Sequence, residues 1–257
     1  MKRKILLIAL DAPANRETVA SIHMQELIKL FSKHVDVEYI DSSQRPGPSN
    51  AWEGLRWLPN LFVFQPLAAA GFSGPYDLVY ERATLSSLLG HWIARRQGVP
   101  FVLEVNGLLD EEIIAHHQKL PFLRWLVRYM FSFLLSKANL VVTATPELKQ
   151  LLKERGAKEI VVMGNGIDEL SIAGKAGRPS LVLHATLDKL HDVSSLLDYC
   201  SRNKLPLKVF GEGSMLEEYE KKFSRIDFMG KIPRQEMLRY LQENDCVGVY
   251  TTTSPIF

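Results

Sequence analysis

Along the chain, short runs of β-branched and aliphatic residues alternate with segments in which apolar residues recur every three or four positions. A period of two or a continuous apolar run marks a strand, and a period near 3.6 marks a helix. The first half yields six strands, Ile5 to Leu10, Val35 to Ile40, Leu78 to Tyr80, Phe101 to Val105, Leu140 to Thr143 and Ile160 to Met163. Between them, Glu17 to Ser32 carries Val19, Ile22, Leu27, Leu30 and Phe31 at helical spacing, and Leu85 to Gln97 carries Leu88, Leu89, Trp92 and Ile93 before Gly98. Thr145-Pro146 reads as an N-cap with proline at the first helical position, and Gly156 closes that helix. Strand and helix in strict alternation predict a parallel sheet with crossover helices.

The pattern resumes after Ser171 to Ser180, a linker candidate holding Gly174, Gly177 and Pro179. Strands at Leu181 to His184, Leu207 to Phe210, Ile226 to Met229 and Cys246 to Tyr250 alternate with helices near Val193 to Arg202, Met215 to Phe223 and Gln235 to Glu243. The expected fold is therefore α/β, two Rossmann-like domains over 1–170 and 181–257, the second incomplete. Ser42 to Gly74 mixes prolines and glycines with Trp52, Trp57, Phe62 and Phe64. It reads equally as an acceptor-side flap or as a helix and loop packed on the sheet edge.

Charge narrows the partners. Lys and Arg number 19 against 18 Asp and Glu up to residue 170, then 12 against 11. Neither half carries the clustered positive charge of a nucleic-acid binder, which points to a small-molecule partner. Cys200 and Cys246 are too few and too far apart for a disulfide framework or a zinc site, and both read as buried small hydrophobes. The apolar run after Met1-Lys2-Arg3-Lys4 ends at Asp11, so it reads as a first strand and the protein as cytoplasmic. Phe122 to Leu135 is interrupted by Arg124 and Arg128; a core-facing helix is the favoured reading, and peripheral contact with the inner membrane surface the alternative.

In open parallel sheets ligands bind beyond the carboxyl ends of the strands. The residues there are Asp11, Glu81 with Arg82, Asn106, Thr145 and Gly164-Asn165-Gly166 in the first half. In the second they are Ala185-Thr186, Gly211-Glu212-Gly213, Gly230-Lys231 and Thr251 to Ser254. The Gly-Glu-Gly turn serves either a close approach of backbone amides to a phosphate or simply a tight strand-to-helix turn. No Gly-x-Gly-x-x-Gly follows the first strand, and neither a Walker loop nor an Asp-x-Asp metal pair occurs. His116 and His117 point to different faces of a helix, which disfavours a metal site there.

The order of these pieces resembles glycosyltransferase family four, the GT-B group of retaining, nucleotide-sugar-dependent enzymes. Ala138 to Thr145 followed by Val161-Val162-Met163-Gly164-Asn165-Gly166-Ile167-Asp168 is similar to the family's strand, helix and Pro-Asn-Gly-Val-Asp ending. Asp77 to Arg82, Gly98 to Asn106, Val209 to Gly213 and Ile226 to Ile232 fall in the family's order. The resemblance implies a UDP- or GDP-sugar held mainly by the second half and an acceptor held by the first. It places Asn165, Gly166, Gly211, Glu212 and Gly213 by the donor, with the backbone around Lys231 and Ile232 facing the base. No cofactor and no metal is expected, because such enzymes neutralise the leaving diphosphate with basic side chains and helix N-termini.

The chain departs from that pattern in places. Thr186 stands where the family usually has Arg, and His191 where it has Lys, so a hydroxyl and a histidine would meet the diphosphate. Asn106 replaces a frequent His and is the catalytic-side candidate, able to hydrogen-bond a sugar but not to relay a proton. Asn15, Arg16 and Arg82 are the acceptor-side candidates; Arg16 reads equally as a partner for a charged acceptor or as a solvated helix-start arginine. The family's pair of donor-binding glutamates would lie beyond Phe257. The expected function is sugar transfer to a glycan or lipid-linked acceptor in cell-envelope or exopolysaccharide synthesis. The alternative is a non-catalytic GT-B-like binding or accessory subunit.

Overall fold

The computed structural model describes residues 2–12, 18–41, 65–84, 88–111, 121–164, 180–188 and 192–249. The chain forms two compact units, Met1–Asn165 and Gly166–Phe257.

In the first, the order is β1 (Lys4–Ala9), α1 (Val19–Phe31), β2 (Asp36–Asp41), α2 (Gln65–Ala69), β3 (Leu78–Arg82), α3 (Leu89–Gln97), β4 (Phe101–Val105), α4 (Pro121–Lys137), β5 (Leu140–Thr143), α5 (Pro146–Glu154) and β6 (Ile160–Val162). The six strands form one parallel sheet in the order β2-β1-β3-β4-β5-β6.

Local chemistry sets these boundaries. Thr18 caps α1 by accepting the Ser21 N–H at 3.1 Å, and Thr145 caps α5 by accepting the Leu148 N–H at 3.1 Å. The second strand begins one residue later than the apolar pattern predicts. Val35 spends its N–H on the Phe31 carbonyl to finish the turn after α1, and Asp36 is the first to donate across, to the Arg3 carbonyl just before β1. Within the helix expected over Leu85 to Gln97, α3 spans Leu89–Gln97, and residues 85–87 lie outside the described residues. Its Leu88 N-cap has no capping side chain; instead Glu81, buried on β3, reaches over to accept the Gly90 N–H at 3.1 Å. That approach requires glycine, since a Cβ on residue 90 would lie 2.6 Å from Glu81 Oε2 and 2.9 Å from the Phe101 ring.

One face of the sheet buries Leu7, Ala9, Tyr80, Val102 and Val142 with Met24 and Leu27 of α1. The predicted helix over Phe122 to Leu135 is α4, which buries Val127, Phe131, Leu134 and Leu135 and leaves Trp125 and Tyr129 exposed and stacked, their rings 5.7 Å apart. Among the described residues no helix is long and apolar enough to cross a membrane. Of the stretch left open between Ser42 and Gly74, the described part is short helix α2 and the turn after it; residues 42–64 lie outside the described residues.

The second unit contains β7 (Ser180–His184), α6 (Ser194–Arg202), β8 (Leu207–Phe210), α7 (Leu216–Lys222), β9 (Asp227–Gly230), α8 (Arg234–Glu243) and β10 (Cys246–Gly248). Its four strands are parallel in the order β10-β7-β8-β9. Leu183, Leu207 and Val209 face Val193, Leu197, Tyr219 and Phe223, while Val182 and Phe210 pack on Met237 of α8 from the other side. Cys200 belongs to the first of these clusters. Cys246 is only half-buried, because β10 is an edge strand, and so departs from the expected pair of buried cysteines.

Candidate functional site

In a parallel sheet all carboxyl ends lie at one edge, and the order β2-β1-β3 puts the topological switch point, where open sheets of this kind bind ligands, between β1 and β3. The side chains at that point form one network. Arg82, the last residue of β3, is in register with Glu104 of β4. Its Nη1 donates to Glu104 Oε1 at 3.2 Å, and its Nε donates to Asp11 Oδ2, just past β1, at 2.8 Å. Glu104 also accepts from Tyr80 Oη at 2.7 Å and from His23 Nε2 of α1 at 2.8 Å. Asn106 Nδ2 completes the set by donating to Oε1.

Glu104 is therefore a carboxylate with a side chain only 2% exposed, serving four donors from β3, α1 and the turn after β4. Burial alone pushes its carboxyl up, but the hydrogen bonds from His23 and Tyr80 and the charge of Arg82 outweigh it and hold the group below the usual range. Burial likewise works against the Arg82 charge, and Asp11 and Glu104 more than restore it. The Tyr80 phenol is pushed far up by burial and by the adjacent carboxylate, so it remains a donor. Next to this network Tyr39 donates from its hydroxyl to the Ala12 carbonyl at 2.5 Å, and Asp41 is buried at the end of β2.

One expected acceptor-side residue and the expected catalytic-side residue are thus brought together. Arg82 and Asn106 share Glu104; Asn15 and Arg16 lie outside the described residues. His23, Tyr80 and Glu104 were not singled out from the sequence as site residues. The available signal was an acidic residue in Phe101-Val102-Leu103-Glu104-Val105, a central strand buried throughout, where a charge needs several partners. A second polar group follows β4: Arg155 donates to Asp110 at 3.0 Å and to Glu111 at 3.2 Å, and Arg128 of α4 donates to Glu111 at 2.9 Å.

In the second unit the loops after β7 and β8 are knitted together by backbone. Ala185 donates to Phe210, Leu187 to Glu212 at 3.0 Å and Met215 back to Leu187 at 2.9 Å. Gly211 has φ +145°, and a Cβ there would lie 1.8 Å from the Ala185 carbonyl oxygen; one on Gly213 would lie 2.1 Å from that of Leu187. The two glycines thus have an internal reason to be glycine, the close approach of two loops. Thr186 and Glu212 are exposed beside them. Lys231, just past β9, donates to Glu212 at 2.6 Å, while Ile232 is half-buried against Phe210 and Met237 of the core. Asn165, Gly166 and His191 lie outside the described residues. No group of three or more His, Cys, Asp or Glu that could hold a metal ion occurs among the described residues.

This pair of parallel α/β units is the GT-B glycosyltransferase fold. The lipopolysaccharide outer core galactosyltransferase WaaB, in its apo form, superposes over 95% of this chain and 72% of its own, with TM-score 0.60 and 15% identity. Sucrose-phosphate synthase from Thermosynechococcus elongatus superposes over 93% and 73%, with TM-score 0.66 and 13% identity. Anabaena HepE in complex with UDP does so over 89% and 69%, with TM-score 0.57 and 15% identity. No curated protein sequence matches the chain. The profile of Glycosyltransferase Family 4 matches residues 18–169, more than half of the 257, and the chain belongs to that family.

Proposed function

We propose that this glycosyltransferase moves a sugar from a nucleotide-sugar donor, held by the second unit, to a glycan or lipid-linked acceptor held by the first. The reaction proceeds with retention and without a metal, on the cytoplasmic side of cell-envelope or exopolysaccharide synthesis. The observation that carries the reading is family membership through the first unit, together with a shared fold whose Anabaena example is solved with UDP and with UDP-glucose. In this reading Lys231 exchanges Glu212 for the donor diphosphate, and the Thr186 hydroxyl bonds a phosphate oxygen. Asn106 and Arg82, both fixed on Glu104, meet the acceptor.

Calorimetric titration of the purified chain with UDP-, GDP- and ADP-glucose tests the donor half, and the anomeric configuration of a transfer product tests retention. Binding of at least one donor is the expected result; no binding by any nucleotide sugar would sink the enzymatic reading. Thr186 favours the second reading, an accessory subunit, because an exposed hydroxyl without charge stands where the family's arginine usually lies. An accessory subunit need bind no donor, so the same titration separates the two.

A further inference from the structure

The network at the carboxyl edge of the first unit also contains a group able to take a proton, an inference that rests on the first unit holding the acceptor. His23 lies near the start of α1, next to Met24, whose side chain is buried against the sheet. Thr18 sets this end of the helix: it caps the Ser21 N–H, and its hydroxyl meets that of Ser21 at 2.8 Å. The His23 ring thereby reaches the end of β4, with Nε2 2.8 Å from Glu104 Oε1.

The partner decides which ring nitrogen carries the hydrogen. Glu104 is ionised at neutral pH, because its carboxyl is held below the ordinary range, and an ionised carboxylate only accepts. Nε2 must then donate, and in the neutral ring the free lone pair belongs to Nδ1. Among the described residues Nδ1 has no protein partner. The buried side-chain polar atoms that lack a partner there are Asp110 Oδ1 and Thr143 Oγ1, so Nδ1 is open to solvent. The exposures agree: 24% for the His23 side chain against 2% for that of Glu104. A buried carboxylate, an imidazole it orients and an accessible ring nitrogen make up the arrangement by which a histidine activates a hydroxyl.

The described neighbours are less suited to that part. Arg82 has no basic lone pair, the Asn106 amide is not a base, and Tyr80 is held as a donor. Asp11 is paired with Arg82, and a carboxylate is a weaker base than an imidazole. We propose that His23 is a catalytic residue, the general base that takes the proton of the acceptor hydroxyl, with Glu104 as its positioning residue. As the hydroxyl oxygen bonds to the anomeric carbon, the bond from that carbon to the diphosphate oxygen breaks, and its electron pair leaves with the nucleotide. The proton passes to Nδ1, Glu104 balances the imidazolium, and the solvent-exposed nitrogen returns the proton to water. The hydroxyl must lose this proton whether the anomeric configuration is retained or inverted.

Two measurements test the proposal. In protein carrying 13C- and 15N-labelled histidine, with His23 assigned through backbone correlations, the ring shifts read the tautomer. The neutral ring is expected in the Nε2–H form in the wild type and in a mixture of forms in Glu104→Gln, whose amide both donates and accepts. A wild-type ring in the Nδ1–H form would overturn the proposal whatever the activity. The second measurement is turnover of a nucleotide sugar that the donor titration shows to bind, with methyl glucosides, galactosides and mannosides of both anomers, and water itself, as acceptors. His23→Gln should lower kcat by at least about a hundredfold with donor affinity unchanged, and imidazole added to His23→Ala should restore part of the rate. A smaller loss, or donor binding without turnover by the wild type, would overturn the proposal and leave the donor reading intact. If the His23 variants fail to fold, the wild-type tautomer decides. No binding of any nucleotide sugar would sink the glycosyltransferase reading itself, and with it the reaction His23 serves.

Discussion

Arg82 and Glu104 stand opposite each other in the register of β3 and β4, and Arg82 Nη1 lies 3.2 Å from the same Glu104 oxygen that accepts from His23. Three side chains thus depend on a single carboxylate oxygen that water scarcely reaches. Removing any one donor leaves that oxygen still bonded, whereas removing its charge disturbs them all.

Among the described residues, Tyr80 serves the other oxygen, Oε2, at 2.7 Å. A hydrogen bond to a buried charged group contributes about 1.5–3 kcal/mol. Tyr80→Phe keeps the ring against Phe31, whose centroid is 5.8 Å away, and deletes only the hydroxyl. The expected loss is about 2 kcal/mol in urea unfolding, with no change in the m-value.

The depressed Glu104 carboxyl gives stability a defined acid dependence. Because the folded state holds the proton less tightly than the unfolded chain, the contribution is complete above the ordinary glutamate value of 4.5 and is lost as pH falls through the lower folded value. Denaturant midpoints measured from neutral pH downward should therefore begin to fall near that value. The slope should be shallower in Glu104→Gln, with a remainder from Glu38 and Asp192, which are also depressed.

Two glycines separate steric from conformational cost. Gly98 ends α3 in the left-handed region at φ +68°, with nothing within 4 Å of an added Cβ. Gly98→Ala should cost about 1 kcal/mol, the penalty of that conformation for an L residue. Gly213→Ala would drive a Cβ into the Leu187 carbonyl, so a loss of about 3 kcal/mol or more is expected. Thermal unfolding of the two variants side by side checks the ranking; equal losses would contradict it.

The pair of Lys231 and Glu212 is well exposed, at 66% and 61% of their side chains. Such pairs contribute less than about 1 kcal/mol and are screened by salt. If Lys231 meets the donor as proposed, Lys231→Ala should leave thermal stability nearly unchanged while weakening binding of the nucleotide sugar about tenfold, equivalent to roughly 1.4 kcal/mol of binding free energy. Unchanged donor affinity would remove Lys231 from the donor site.

How much of this was legible in the sequence depended on the kind of interaction. The parallel order of both sheets follows from apolar runs alternating with helical periods, a local property of the chain. The α5 cap was readable because Thr145 and Pro146 are adjacent. The capping of α3 was not, since the group that does it, Glu81, lies nine residues away on a strand. The same distance hid the site. Asp11, Arg82 and Asn106 could be placed at the right edge by strand ends alone, but His23 and Glu104 are 81 residues apart and meet only because α1 packs over β4's neighbours. The Gly-Glu-Gly turn suggested a phosphate approach or a tight turn. The packing shows what each glycine's missing Cβ makes room for, which no residue type could reveal.

The knitting of residues 185–187 to 211–215 carries a consequence for how this protein can change. Leu187 both donates to Glu212 and accepts from Met215, so neither loop can be reshaped while the other stays still. Substitutions in the two loops should be non-additive. A lineage, or a laboratory selection, that alters ligand preference through one of them will be channelled toward compensating changes in the other.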